Sequence, residues 1–202
     1  MVAGFHIICT NYGFWLPNDQ RGSGSDFVRS PALDKFGPAN PVSSRRSVAD
    51  RPFDFQIREM ARASLRYPPV TWTGRQALCI ARAFKEEVAR YGGLIWACSI
   101  LPDHFHVVTA PHHYDIRRFA ARLKGAATKR LRHENLYPGE VPSPWGRLPW
   151  IIYLWTERDV RRTIRYVEEN PIRAGLKRQR WSFVTPYLAA VRSTAGSRIE
   201  NK

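Results

Sequence analysis

The apolar and polar positions of the chain change their period several times, and each change predicts an element. Phe5 to Tyr12 is a short, apolar, β-prone run and reads as a first strand. Over Gly74 to Tyr91 the apolar positions Ala77, Leu78, Ile80, Ala81, Phe84 and Val88 form a helical stripe, while Arg75, Arg82, Lys85, Glu86 and Arg90 fall outside it. Gly92-Gly93 ends that helix. Leu94 to Ile100 is a second strand, Leu101-Pro102-Asp103 a turn, and His104 to Thr109 a third strand. So short a connection predicts an antiparallel hairpin. Asp115 to Arg132 is a helix with Ile116, Phe119, Ala120, Leu123 and Ala127 inward. Ile151 to Trp155 is a fourth strand. Glu157 to Glu169 is a last helix, with Val160, Ile164 and Val167 on its apolar face. Asn170-Pro171 is expected to close it, because a residue before proline rarely stays helical. Ile172 to Leu176 then continues as a short turn.

One region breaks the pattern. From Phe14 to about Thr73, Pro17, Pro31, Pro38, Pro41, Pro52, Pro68 and Pro69 interrupt every period, together with RGSGSD at Arg21 to Asp26 and PVSSRRS at Pro41 to Ser47. That is far longer than an ordinary connection. Only Phe55 to Leu65 reads as a short helix. The expected fold class is α+β: a ferredoxin-like antiparallel sheet with helices packed on one face, plus this long Pro/Gly-rich insertion. Residues 1–187 form a single domain carrying the loop-rich insertion 14–73, and 188–202 are a weakly structured tail. No internal repeat is visible.

Charge adds a partner. The 202 residues carry a formal net charge of +15 and a pI near 10.5, with 44% hydrophobic and 12% aromatic residues. That is enough apolar material for a core, and the excess charge predicts a polyanionic partner, nucleic acid before anionic membrane. No run approaches the roughly 20 apolar residues of a membrane-spanning helix, and MVAGFHIICTNY lacks the pattern of a secretory signal. Cys9, Cys79 and Cys98 form no CxxC pair and lie in apolar segments, which fits buried thiols in a reducing cytoplasm.

The chemistry concentrates in two places. In SILPDHFHVVTA, Ser99 to Ala110, His104 and His106 sit two apart in a strand and therefore share one face, with Phe105 on the other. Neutral imidazoles at that spacing can converge on one divalent ion. Two ligands are too few for a structural zinc, but they suit an open site that also holds water and a phosphate oxygen. A pair of solvated or locally hydrogen-bonded histidines fits the same spacing. In RDVRRTIRYVEENPIRAGL, Arg158 to Leu176, Tyr166 and Asn170 lie at i and i+4 on one side of the helix, among Arg158, Arg161, Arg162 and Arg165. Surrounding cations favour a phenolate, which can attack phosphorus. A ring in the core with its hydroxyl bonded at the edge is the commoner use of a tyrosine.

The basic helices extend the pattern. Arg117, Arg118, Arg122 and Lys124 on one, and Arg158, Arg161, Arg162, Arg165 and Arg173 on or just after the other, are candidate contacts to a phosphate backbone. Trp145, Trp150, Trp155 and Trp181 fall among them. At most one or two are expected to stack on unpaired bases, because most tryptophans are largely buried.

LPDHFHVV resembles the HxH segment of the small tyrosine transposases found in the simplest bacterial insertion sequences, a branch of the HUH single-strand endonucleases. RYVEENPIRAGL resembles the tyrosine helix of the same proteins, closest to the branch associated with repetitive extragenic palindromes (REP). The resemblance covers roughly Val2 to Tyr12 and Ala77 to Tyr187. It implies His104 and His106 as the metal-binding pair, Tyr166 as nucleophile, and Asn170 as a polar residue completing the metal site. It also implies Mg²⁺ or Mn²⁺, single-stranded DNA with hairpin or palindromic structure, a covalent 5′-phosphotyrosine intermediate, and a cytoplasmic, nucleoid-associated protein. A homodimer and a monomer both fit. The excursion 14–73 exceeds what the minimal core of such proteins needs. Tyr153 and Tyr137 rank below Tyr166 because neither sits on a helix with a polar partner at i+4. Three other readings compete: a replication-initiator-like nickase, a domesticated binding protein for palindromic DNA or RNA, and a basic α+β protein that binds RNA by charge.

Overall fold

The computed structural model describes residues 1–17, 19, 31–37, 54–113, 115–138 and 143–187. The segments RGSGSD and PVSSRRS and the tail 188–202 lie outside the described residues. The elements run β1 (Gly4–Thr10), a 3₁₀ turn (Pro31–Phe36), α1 (Phe55–Ala63), α2 (Gly74–Tyr91), β2 (Ile95–Ile100), β3 (His104–Thr109), α3 (Ile116–His133), β4 (Trp150–Leu154) and α4 (Glu157–Arg173). By contact the chain divides into two compact units, Met1–Thr10 with Thr71–Lys202, and Asn11–Val70.

In the larger unit the four strands form one antiparallel sheet in the order β2-β3-β1-β4. With α2 and α3 as the crossovers, this is the βαββαβ arrangement of a ferredoxin-like fold. The β2–β3 hairpin forms as expected, its turn closed by the Leu101 N–H donating to the His104 carbonyl at 2.8 Å.

Register assigns the residues to faces. Phe5, Ile7 and Cys9 of β1 pair with Thr109, Val107 and Phe105 of β3 and line one side. Phe84 of α2 meets Phe105 edge-on at 5.0 Å. Phe105 in turn meets Trp145 at 5.4 Å, whose indole N–H donates to the Lys124 carbonyl of α3. The two crossover helices thus cover this face, the helix layer expected from the sequence. The opposite face carries Gly4, His6, Ile8 and Thr10 of β1 and His104, His106 and Val108 of β3. A third layer covers part of it: Val160 and Val167 of α4 pack with Val108, Ala97, Trp96 and Leu154. Gly4 permits this approach, since a Cβ there would lie 2.8 Å from the Trp96 ring and 3.4 Å from Val160.

The helix α4 starts at a capping box, Thr156 with Asp159. It does not stop at Asn170-Pro171, as the sequence suggests, but runs through Pro171 to Arg173. Proline forfeits one backbone hydrogen bond in the last turn, and its ring is buried there. Termination falls to Gly175, at φ 73°, with the Leu176 N–H returning to the Pro171 carbonyl at 2.8 Å.

The edge of β2 is capped by the following chain. The Gln179 side chain accepts from the Ile100 N–H at 2.8 Å and donates to the Ile100 carbonyl at 2.7 Å. The Thr185 N–H reaches the Ile95 carbonyl at 2.8 Å. The smaller unit has its own core, Leu16, Leu33 and Ala61 with Phe36 and Leu65 against them. It is tied by an Arg58–Asp19 pair at 3.8 Å and by the Val70 N–H donating to the Tyr12 carbonyl at 3.0 Å. Among the described residues, no helix is long and apolar enough to cross a membrane.

Candidate active site

Strand alternation sets His104 and His106 side by side, ring centroids 4.7 Å apart. Each has its Nδ1 engaged. His104 Nδ1 lies 2.6 Å from a carboxylate oxygen of Asp103. His106 Nδ1 lies 2.9 Å from Nε2 of His6, which β1 presents on the same face. His6 and His106 are both buried, with 4% and 3% of their surface exposed. Burial, and then the proximity of His104, lowers the His6 pKa to about 4. Burial, then His104 and His6, holds His106 well below the ordinary histidine range. Both are therefore neutral at neutral pH, the form that ligates metals.

The helix α4 brings Tyr166 edge-on to this pair. Its ring centroid lies 5.7 Å from that of His106 and 6.1 Å from that of His6. Tyr166 remains 37% exposed. The guanidinium of Arg173 stands 5.9 Å from the ring centroid. Asn170 follows one helical turn later.

Polar atoms on these elements are left over. His106 Nε2, Asn170 Nδ2 and Ser99 Oγ are buried without a hydrogen-bond partner among the described residues. Ser99 pairs with His106 in register and shares its face. Unpaired buried polar atoms are costly and rare in folded proteins. At His106 the cost has a chemical reading, because a deprotonated Nε2 is a metal ligand in waiting. With Asp103 accepting the Nδ1 proton of His104, the lone pair of that ring also falls on Nε2. The donor set therefore fits a divalent ion. Among the described residues, no group of three or more His, Cys, Asp or Glu side chains is arranged to hold a metal ion. Two imidazoles stand together here, His104 and His106, and Asn170 lies one helical turn from Tyr166.

The basic residues separate into two groups. Arg117, Arg118, Arg122 and Lys124 belong to α3, the layer opposite the histidines. Of these, Arg122 donates to buried Glu87 at 2.9 Å and lies over the Tyr91 ring, and the Lys124 amine donates to the Gly146 and Arg147 carbonyls at 2.9 and 3.1 Å. Those two serve the fold. A cleft of about 500 Å³ between α2 and α3, lined in part by Glu86, Glu87, Arg122 and Arg130, is laced by the same kind of pairs. On α4, Arg161 pairs with Glu157, Arg162 with Asp159 at 3.1 Å, and Arg173 with Glu169 at 2.7 Å. Arg158 and Arg165 on the same helix are exposed.

The aromatic candidates also separate. Trp145 is buried at 4% exposure, and Tyr137 packs in the core against Trp72. Tyr153 stands opposite Phe5, on the face away from the histidines, in edge contact at 5.3 Å. Trp150 pairs with Ile8, which pairs with His106, so Trp150 lies on the histidine face two strands along, and it is 39% exposed. His6 and Asp103 escaped the sequence reading as site residues. The readable signal for His6 was a histidine at an inward position of an apolar strand.

No family model matches the sequence, and no curated protein is similar to it. Among solved structures, the chain is similar to a REP-associated tyrosine transposase bound to a REP hairpin. The identity is 15% and the TM-score 0.46, over 88% of this chain and 72% of that one. It is also similar to a proposed transposase from Deinococcus radiodurans R1, at 13% identity and a TM-score of 0.38, over 84% of this chain and 91% of that one.

Proposed function

We propose that the protein is a metal-dependent single-stranded DNA endonuclease and strand transferase of the tyrosine transposase type, acting at hairpin or palindromic DNA. The observation that carries this reading is the meeting of Tyr166 with His106, whose buried Nε2 has no partner among the described residues. The motif resemblance and the charge of +15 point the same way.

His104 and His106, with Asn170 on the next turn of α4 from Tyr166, would hold a Mg²⁺ or Mn²⁺ ion. When bound, such an ion neutralises charge on the scissile phosphate and on the departing oxygen. The chain's own residues do the rest. The Tyr166 oxygen, its proton lost to solvent, attacks phosphorus. A new P–O bond to tyrosine forms as the P–O3′ bond breaks. The 3′ oxygen takes up a proton and leaves as a hydroxyl, and the 5′ end stays on the protein as a phosphotyrosine. The phosphoester count is unchanged, so a 3′-hydroxyl can reverse the step and join new ends without a nucleotide cofactor. Arg158 and Arg165 are the α4 candidates for the flanking phosphates. Trp150, exposed beside the site, is the candidate platform for an unpaired base.

The test uses labelled single-stranded DNA from hairpins flanking the gene, with Mn²⁺ or Mg²⁺ and then with EDTA, resolved on a denaturing protein gel. A metal-dependent covalent adduct is expected in the wild type and absent in Tyr166→Phe. An adduct that persists in Y166F refutes Tyr166 as nucleophile. Tight metal-independent hairpin binding with no adduct refutes the nuclease and favours a binding protein.

A further inference from the structure

Resting on that reading, we infer that His6 is a positioning residue for the metal site: it accepts the Nδ1 proton of His106 and so keeps the Nε2 lone pair of His106 available to the ion.

The argument is one of proton counting. The two rings meet Nε2 to Nδ1 at 2.9 Å, both buried, so one proton must lie between them. Only two neutral arrangements exist. If His6 donates, the remaining proton of His106 sits on Nε2, a buried N–H with no acceptor among the described residues. If His106 donates, that nitrogen presents a lone pair and can take a cation. Ion binding therefore selects the second arrangement. The same logic operates at His104, where the Asp103 carboxylate at 2.6 Å takes the Nδ1 proton. A ligating histidine commonly has its other nitrogen fixed this way. Here one ligand is fixed by a carboxylate and the other by a neutral imidazole from the neighbouring strand.

The choice of an imidazole has a physical reason. His6 lies diagonally across β1 from His106, since it pairs with Val108 while Ile8 pairs with His106. At 4% exposure an ionised carboxylate there would carry a large desolvation cost, whereas an imidazole accepts the bond uncharged. Its ring also lies against Tyr166 at 6.1 Å, so His6 supports the nucleophile's ring and the ligand together.

The experiment is a Mn²⁺ titration of the full chain, with free aquo-Mn²⁺ followed by electron paramagnetic resonance. The proteins are wild type, His106→Ala, His6→Phe and His6→Gln, each checked by its melting temperature. Losing the binding in H106A, a roughly 10- to 100-fold weaker Kd in H6F, and recovery of most of that loss in H6Q, whose amide oxygen can accept the proton, support the role. A folded H6F with wild-type affinity overturns the proposal while leaving the two-histidine site intact. Unchanged binding in H106A overturns the site itself, and His6 with it. If H6F does not fold, nitrogen NMR of the wild type with Mg²⁺ decides: a His106 proton on Nδ1 is expected, and one on Nε2 is the refuting result.

Discussion

On one face of the sheet Phe105, Val107, Ile7 and Cys9 are sealed beneath α2 and α3. On the other, the same two strands set His104, His106 and His6 partly beneath α4. The strands are shared and the burial is similar: Phe105 is 0% exposed and His106 is 3% exposed. What differs is satisfaction. The apolar face is closed by ring packing, Phe84 and Trp145 against Phe105. The histidine face retains buried nitrogen and oxygen atoms with no partner among the described residues. One face is closed by apolar packing, and the other keeps polar atoms of which the proposed metal site would use His106 Nε2.

The largest effect should come from breaking the apolar face. Phe105→Ala empties a fully buried ring site in contact with Phe84 of α2 and with Trp145 in the connection before β4, and such truncations cost about 3–5 kcal/mol. Against a typical domain stability of about 5–15 kcal/mol, that leaves a marginal fold, read as a large drop in the denaturant midpoint. Y166F, on the other face, should change the unfolding free energy by no more than about 0.5 kcal/mol, since it removes one hydroxyl from a residue 37% exposed. Two variants on neighbouring elements would then separate folding from chemistry. If Y166F unfolds as readily as F105A, the division of labour between the faces fails.

A second effect sharpens the comparison through pH. His6 is held to about 4 by burial, with His104 adding to it, and His106 is lowered for the same reasons. Unfolded, each binds a proton near 6.5. The unfolded chain therefore takes up more protons as the pH falls below that value. Stability from the neutral pair is present above about 6.5 and is lost as the pH drops toward about 4. In EDTA, wild-type denaturant midpoints should fall over this window. The groups facing the pair are His104 and Tyr166, with Arg173 beside the tyrosine ring. H6F should show a shallower fall. Parallel curves would mean that the pair does not titrate with folding.

What the sequence disclosed follows from the same distinction. Periodicity reports burial, so the strands, α2, α3 and the stripe of α4 were legible from apolar spacing. The HxH and the Tyr166–Asn170 pair were legible because both partners lie within one element. His6 was not, because its partner is 100 residues away and only the β1–β3 register joins them. The end of α4 was misread because a local rule about proline ignores a buried last turn and a glycine cap beyond it. The engagement of Arg122 and Lys124 was hidden for a further reason. A basic helix reads the same whether its cations meet DNA, a buried glutamate or a carbonyl.

The smallest effect concerns the uncovered margin of the histidine face. Trp150 lies two strands from His106 in the same row, about 10 Å at the usual strand spacing. A base attached next to a phosphate held at the histidines can reach that distance. Trp150 is 39% exposed and lies on β4, which pairs with β1. Its loss should not weaken the core. Stacking of one base is worth about 1–3 kcal/mol, so Trp150→Ala should weaken binding of a single-stranded oligonucleotide by roughly 5- to 150-fold. The salt dependence should be unchanged, because stacking releases no counterions. Trp155 is the internal control, being more exposed at 62% and past the end of β4. If W155A weakens binding and W150A does not, the DNA leaves the site along a different path. The histidine face would then end at β1.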